Sequence, residues 1–308
     1  MPDLLIHSPY ADHAGQGNSV TAGRLEKIFS GAGYQVMHSE LDYSGESADV
    51  MVALNARKSA KAIVRFRDLH PGSKLVIVLT GTDINHPDSL DEDSSTWASL
   101  QHADRLVVLH ELSLERVPEN FRDKTSVIYP SVTLPEDFQH MPGEDFTIVM
   151  AANMRKEKNP ELAVSVAERL PSDLKVELYG EAGMVGSPKI TLHGTVPHWE
   201  MLRAMSTAHV LLNTSLQEGG ANAICEAICI GLPVVASAIL GNVGMLGEDY
   251  VGLFPSNDVD ALIAILEKAA GDPQFYAQMK EQIAARAPVF AYDQETASWR
   301  KLLGELSN

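Results

Sequence analysis

The chain has 308 residues, 45% of them apolar and 6% aromatic, and carries a formal net charge of −17. That length accommodates two cores of about 100–150 residues each, and the composition excludes a disordered chain. The acidic balance excludes a nucleic-acid partner, whose phosphates demand a basic surface, and no apolar run reaches the ~18 residues of a membrane span. The opening MPDLLIHSPYADH has neither a basic lead nor a long apolar run, so neither a signal peptide nor a membrane partner is expected, and the cytoplasm is the default.

In chain order, Leu4–His7 reads as a buried strand, followed by a glycine-rich turn at Gly15–Asn18 and a helix over roughly Val20–Gly33. Strands are expected at Gln35–Ser39, Val50–Leu54, Leu75–Leu79, Arg105–Leu109 and Ser126–Tyr129, with helices between them, notably Lys58–His70. Strands separated by helices indicate a parallel sheet with both faces covered. The stretch Pro130–Pro142, with Pro135 between, reads as a linker. The rhythm then restarts. Strands follow at Phe146–Ala151, Lys175–Tyr179, Ile190–Leu192, Val210–Asn213 and Pro233–Ser237, with helices near Pro160–Leu170 and Ala221–Gly231 and across Asp258 to Leu306.

Two such halves predict an α/β protein of two Rossmann-like domains facing one cleft: 1–138 on the acceptor side, 143–290 on the nucleotide side. A final helix within 291–308, carrying Trp299, Leu302 and Leu303, is expected to pack back on the junction. Ligands of such sheets sit at the carboxyl ends of the strands.

The most informative segment is Ser215-Leu-Gln-Glu218-Gly-Gly-Ala-Asn222-Ala-Ile-Cys-Glu226, between a strand and a helix. Gly219 and Gly220 permit a sharp turn and close approach of a ligand, and the amides beside Ala221 and Asn222 favour a phosphate. Asn222 and Glu226, four apart, share a helical face. Two carboxylates here suit neutral sugar hydroxyls better than phosphate alone, because an ionised carboxylate is a strong acceptor.

A second cluster, Arg155, Lys156 and Lys158, follows strand Phe146–Ala151 and suits a diphosphate. In the first half, Gly15 and Gly17 with Asn18 open a helix after the first strand. They lack the third glycine of the dinucleotide fingerprint, which disfavours NAD. Thr80-Gly81-Thr82-Asp83 follows Leu75–Leu79; it reads either as contact with a hydroxylated or phosphorylated ligand or as a turn with Asp83 capping a helix. Arg57 and Lys58 read either as an anion site or as a helix start. Gly241-Asn242-Val-Gly244 is expected to offer backbone amides to the donor.

Cys225 and Cys229 lie four apart in an apolar helical stretch and read as small core residues, and Asp91-Glu-Asp93 as a solvated loop. No His or Cys spacing calls for a metal, and no cofactor is expected.

The pair Glu218 and Glu226, a Glu-x7-Glu spacing, resembles retaining glycosyltransferases built from two Rossmann domains, the GT-B architecture. That resemblance implies that Glu218 contacts the donor sugar, Glu226 the nucleotide ribose, and Arg155 and Lys158 the diphosphate, at a spacing shorter than usual. A smaller group, the selenosugar synthases of selenoneine biosynthesis, is similar in Gly17-Asn-Ser-Val-Thr21, Ala53-Leu-Asn-Ala-Arg57-Lys-Ser59, Leu79-Thr-Gly-Thr-Asp83, Ala103-Asp-Arg-Leu-Val-Val-Leu109, Glu218-Gly-Gly-Ala-Asn222 and Gly241-Asn-Val-Gly244. The acidic stretch 84–95 departs from it. This resemblance implies a UDP-sugar, typically UDP-N-acetylglucosamine, as donor and selenophosphate as acceptor, without a metal. It puts Gly15, Gly17, Asn18, Gly219, Gly220, Ala221, Asn222, Glu226, Gly241 and Asn242 on the donor. It puts Arg57, Lys58, Thr80, Gly81, Thr82 and Asp83 on the acceptor. A general glycosyltransferase and a non-catalytic nucleotide-sugar binder remain the alternatives.

Overall fold

The computed structural model describes residues 1–9, 17–40, 42–86, 90–92, 94–135, 138–183 and 186–306, and only the backbone of Gly17 and Asn18. Gly15 and Asp93 lie outside the described residues, as does part of the 84–95 stretch. The chain divides into two compact units, Met1–Pro130 with Asp293–Asn308, and Ser131–Tyr292.

The first unit contains β1 (Asp3–His7), α1 (Gly17–Gly31), β2 (Gln35–Ser39), β3 (Val50–Leu54), α2 (Ala60–Leu69) and β4 (Lys74–Val78). It continues with α3 (Gly81–Asn85), α4 (Ser95–His102), β5 (Arg105–Val108), α5 (Glu111–Arg116), α6 (Glu119–Arg122) and β6 (Thr125–Val127). All six strands run parallel in the order β2-β1-β3-β4-β5-β6. The inner strands are continuous apolar runs because both faces are covered: all of β3 and four residues of β4 are buried.

In the second unit come β7 (Thr147–Ala151), a 3₁₀ turn (Lys156–Lys158), α7 (Pro160–Arg169), β8 (Lys175–Tyr179), β9 (Ile190–Gly194) and α8 (His198–Thr207). They are followed by β10 (Val210–Asn213), α9 (Asn222–Ile230), β11 (Val234–Ser237), α10 (Leu240–Leu246) and β12 (Leu253–Phe254). The helices α11 (Val259–Gly271) and α12 (Pro273–Arg286) and a 3₁₀ turn (Ala287–Phe290) lead into α13 (Tyr292–Leu306). The order β12-β11-β10-β7-β8-β9 is again wholly parallel.

The two sheets are wound differently. In the second, the strand order reverses between β7 and β10, the dinucleotide-fold order; in the first it reverses between β1 and β3. Ligand sites are therefore expected in the loops after β7 and β10, and after β1 and β3.

Residues 140–143, at the end of the proline-containing stretch, are held to the second unit. His140 Nε2 bonds Ala208 O at 2.8 Å, and the Met141 and Gly143 N–H groups bond Ser206 O and Thr207 O, all at the end of α8. The last helix returns to the first unit, where Trp299 meets Phe29 edge-on with ring centroids 5.1 Å apart. Arg24 and Glu295 pair there at 3.0 Å, their side chains 10% and 3% exposed. Among the described residues no helix is long and apolar enough to cross a membrane.

Candidate active site

The loops after β7 and β10 are laced together at the switch point of the second sheet. The Leu216 N–H donates to Glu157 O at 2.8 Å, and Thr214 Oγ1 donates to Lys158 O at 2.6 Å. Asn159 ends the 3₁₀ turn in the left-handed region (φ 54), which Asn tolerates, and Pro160 then starts α7. The result brings Lys158 to Glu218, and their side chains form an ion pair that is 23% and 12% exposed. Ser215 Oγ donates to the same Glu218 Oε1 at 2.7 Å.

Beneath Glu218 lies a buried polar layer. Asn242, fully buried, donates from Nδ2 to Ser237 O at 2.9 Å and lies 3.3 Å from Asn213 Oδ1. Ser237 Oγ donates to Ser215 O, and the Ser215 N–H donates to Asn213 Oδ1 at 3.0 Å. Gly241 sits so close to this loop that a Cβ there would fall 2.3 Å from Glu218 O.

Gly241–Gly244 lies in the first turns of a short helix, α10, and burial and Ser237 hold the Asn242 side chain in the scaffold.

Glu226 lies in the second turn of α9 and is 6% exposed, with His198 Nε2 2.8 Å from its Oε1. Ala221 precedes this helix as an N-cap without a capping side chain, Gly219 is buried, and Gly220 and Asn222 are half-buried. Arg155 is exposed, and among the described residues no ion pair engages it. Its loop is tied to the one after β8, with Met154 N–H on Glu181 O at 2.7 Å and Glu181 N–H on Asn153 Oδ1 at 2.8 Å.

In the first unit, Asn55 follows β3 with φ 67 and donates from Nδ2 to Thr80 Oγ1 and Thr82 Oγ1 at 2.6 and 2.7 Å. Asp83 is fully buried. Its carboxylate accepts from the N–H groups of Ala56, Arg57 and Thr80 at 3.2, 3.0 and 2.8 Å. Burial pushes its pKa above the usual carboxylate value, and these bonds oppose that rise.

Asp83 is thus corrected from a ligand contact to the clamp between the loops after β3 and β4. It is the third residue of α3 in a capping box with Thr80, not the N-cap. Arg57 and Lys58 are exposed above it, and Gly81 and Thr82 are half-buried. Gly17 and Asn18 lie at the start of α1.

Ser215, Ser237 and His198 escaped sequence reasoning. Nothing local marks His198 as a neighbour of a residue 28 positions away. Ser215 stands in the Glu218 segment, where nothing local gives it a role. No group of three or more His, Cys, Asp or Glu able to hold a metal occurs among the described residues.

Two doubly wound parallel sheets, the second with a Lys–Glu pair at its switch point, define the GT-B architecture. Residues 133–286 match the family described as Glycosyl transferases group 1, and the chain belongs to that family. Sucrose-phosphate synthase from Thermosynechococcus elongatus is similar in structure at TM-score 0.80 and 14% identity, over 99% of both chains. Anabaena HepE, solved with UDP and glucose, is similar at TM-score 0.75 and 14% identity over 99% of this chain and 100% of that one. These two likenesses establish the fold. A phosphatidylinositol N-acetylglucosaminyltransferase component of Arabidopsis thaliana is 35% identical over 81 residues, 26% of this chain and 18% of that protein.

Proposed function

We propose that this chain is a glycosyltransferase that takes a UDP-sugar, UDP-N-acetylglucosamine, in its second unit and uses selenophosphate as acceptor, yielding a selenosugar, UDP and phosphate. The observation that carries the donor half is the Lys158–Glu218 pair at the switch point, with buried Glu226 on the helix that follows. Glu218 accepts from sugar hydroxyls and Glu226 from the ribose. Arg155, Lys158 and the first-turn amides of α9 meet the diphosphate charge that grows as the leaving group departs. No metal is needed for that neutralisation.

In the transfer, a selenium lone pair attacks the anomeric carbon as its bond to the UDP oxygen breaks. Water then cleaves the P–Se bond, leaving phosphate and the sugar selenolate. The acceptor half rests on exposed Arg57 and Lys58 beside Thr80 and Thr82, which suit a small anion, and on the similarity of the strings between Gly17 and Gly244 to selenosugar synthases. HepE, solved with UDP and glucose, and the plant N-acetylglucosaminyltransferase component support the choice of donor.

The test is UDP release from UDP-N-acetylglucosamine by purified protein, with and without selenophosphate. Release that requires selenophosphate, with a selenium-containing sugar by mass spectrometry, is the expected result. Release indifferent to selenophosphate would instead favour transfer to a glycan, lipid or metabolite, the reading that the likeness to the plant protein supports. Glu226→Gln should raise the donor KM or abolish turnover; unchanged kinetics would remove Glu226 from the site.

A further inference from the structure

Glu226 is a carboxylate enclosed in protein, its side chain 8% exposed, and such a charge is costly unless it is paired. Among the described residues its side-chain partner is His198, Nε2 to Oε1 at 2.8 Å. His198 is the first residue of α8. That helix start is fixed by Pro197, whose carbonyl accepts from the N–H groups of Glu200 and Met201 at 2.9 and 3.2 Å. The imidazole is 44% exposed, so it stands at the surface over a carboxylate that is not.

This geometry does two things to Glu226. The donor at Nε2 fixes the rotation of the carboxyl group, because one oxygen is held along the His198 direction. It also takes up one acceptor, leaving Oε2 without a bond among the described residues. A carboxylate with one oxygen tethered and one presented is oriented for a hydroxyl, and an untethered one would share its oxygens over several rotamers.

We infer that His198 is a positioning residue for Glu226 and sets the nucleotide subsite's preference for ribose over deoxyribose. The inference rests on the reading of Glu226 as the ribose contact. His198 touches no reacting atom in it and acts through Glu226. Without the tether, part of the hydroxyl's contribution to binding is lost, and an analogue lacking that hydroxyl loses correspondingly less.

The experiment is calorimetric titration of the full chain with UDP and with 2′-deoxy- and 3′-deoxy-UDP, in the wild type, His198→Ala, His198→Gln and Glu226→Gln. The wild type should prefer UDP to at least one analogue by about tenfold, the size of one charge-assisted hydrogen bond. His198→Ala should weaken UDP and collapse that ratio towards one. His198→Gln, whose amide also donates, should restore most of it, which a merely structural role would not predict.

A His198→Ala protein that keeps the wild-type ratio overturns the inference. A wild type that binds UDP and both analogues equally, or a Glu226→Gln variant that discriminates as well as wild type, overturns the ribose reading itself and the inference with it. If His198→Ala does not fold, His198→Asn, too short to span the gap, carries the same comparison.

Discussion

The backbone of Gly241 lies against that of Glu218: a Cβ at 241 would fall 2.3 Å from the Glu218 carbonyl oxygen, 2.7 Å from its carbon and 2.8 Å from its Cβ. No side chain fits without moving the loop that presents the Glu218 carboxylate. Gly241→Ala should therefore lower turnover by about 100-fold, the scale of a 1 Å misplacement at a catalytic group. Gly23, in α1 with nothing within 4 Å of its would-be Cβ, is the contrast. Gly23→Ala should leave UDP release unchanged and raise stability by about 0.5–1 kcal/mol through helix propensity. Steady-state kinetics and thermal melting of the two variants decide both points.

Asn242 offers a sharper test of the layer beneath Glu218. Its amide nitrogen faces the Ser237 carbonyl at 2.9 Å, the Ser237 hydroxyl at 3.2 Å and the Asn213 oxygen at 3.3 Å. Asn242→Asp keeps the shape and turns an oxygen towards these three oxygens in a fully buried position. The variant should lose about 3 kcal/mol or more of stability. A urea midpoint equal to that of the wild type would mean that the side chain is not held as described.

The sheet strands were legible because their residues are buried on both faces: runs such as VMVAL and LVIV have no reading other than an inner strand or a buried helix, and their length selects the strand. The short helices were not. Gly81–Asn85, GTDIN, reads as a turn until the capping box of Thr80 and Asp83 closes it, and Leu240–Leu246 contains two glycines and an asparagine. Glu218 and Lys158 were each visible as chemistry-bearing residues at strand ends. The resemblance puts both on one donor, but their direct ion pair was not visible, because it depends on β10 lying beside β7, a fact of strand order that no local pattern encodes. Asp83 misled for the same reason: an acid after a strand reads as a ligand contact until amides 26 and 27 residues earlier are found pointing at it.

Asp83 leads to a prediction in the first unit. Its two oxygens accept from three backbone N–H groups and from Thr80 Oγ1 at 3.2 Å, so every one of these neighbours is a donor. Asp83→Asn places an NH₂ group against one of them. The cost should be about 3 kcal/mol, measured as a fall in the unfolding midpoint. UDP affinity, which belongs to the second unit in the proposed reading, should survive in the folded fraction. Loss of UDP binding by folded Asp83→Asn protein would contradict that division of labour.

His7 sets a pH limit on the same unit. It ends β1 almost fully buried, with Nδ1 2.8 Å from Ser39 Oγ, and burial lowers its pKa from 6.5 to about 4, against a smaller opposing pull from Glu46. The folded state therefore prefers the neutral ring, whereas the unfolded chain protonates near 6.5. Above that pH the group adds no dependence. Between 6.5 and about 4 the unfolded state binds the extra proton, so stability falls with pH by up to about 3 kcal/mol. His7→Asn, which keeps a donor near the Nδ1 position and cannot titrate, should flatten the urea midpoint between pH 6.5 and 4.5 relative to the wild type. Parallel curves for the two proteins would show that His7 is not the group responsible.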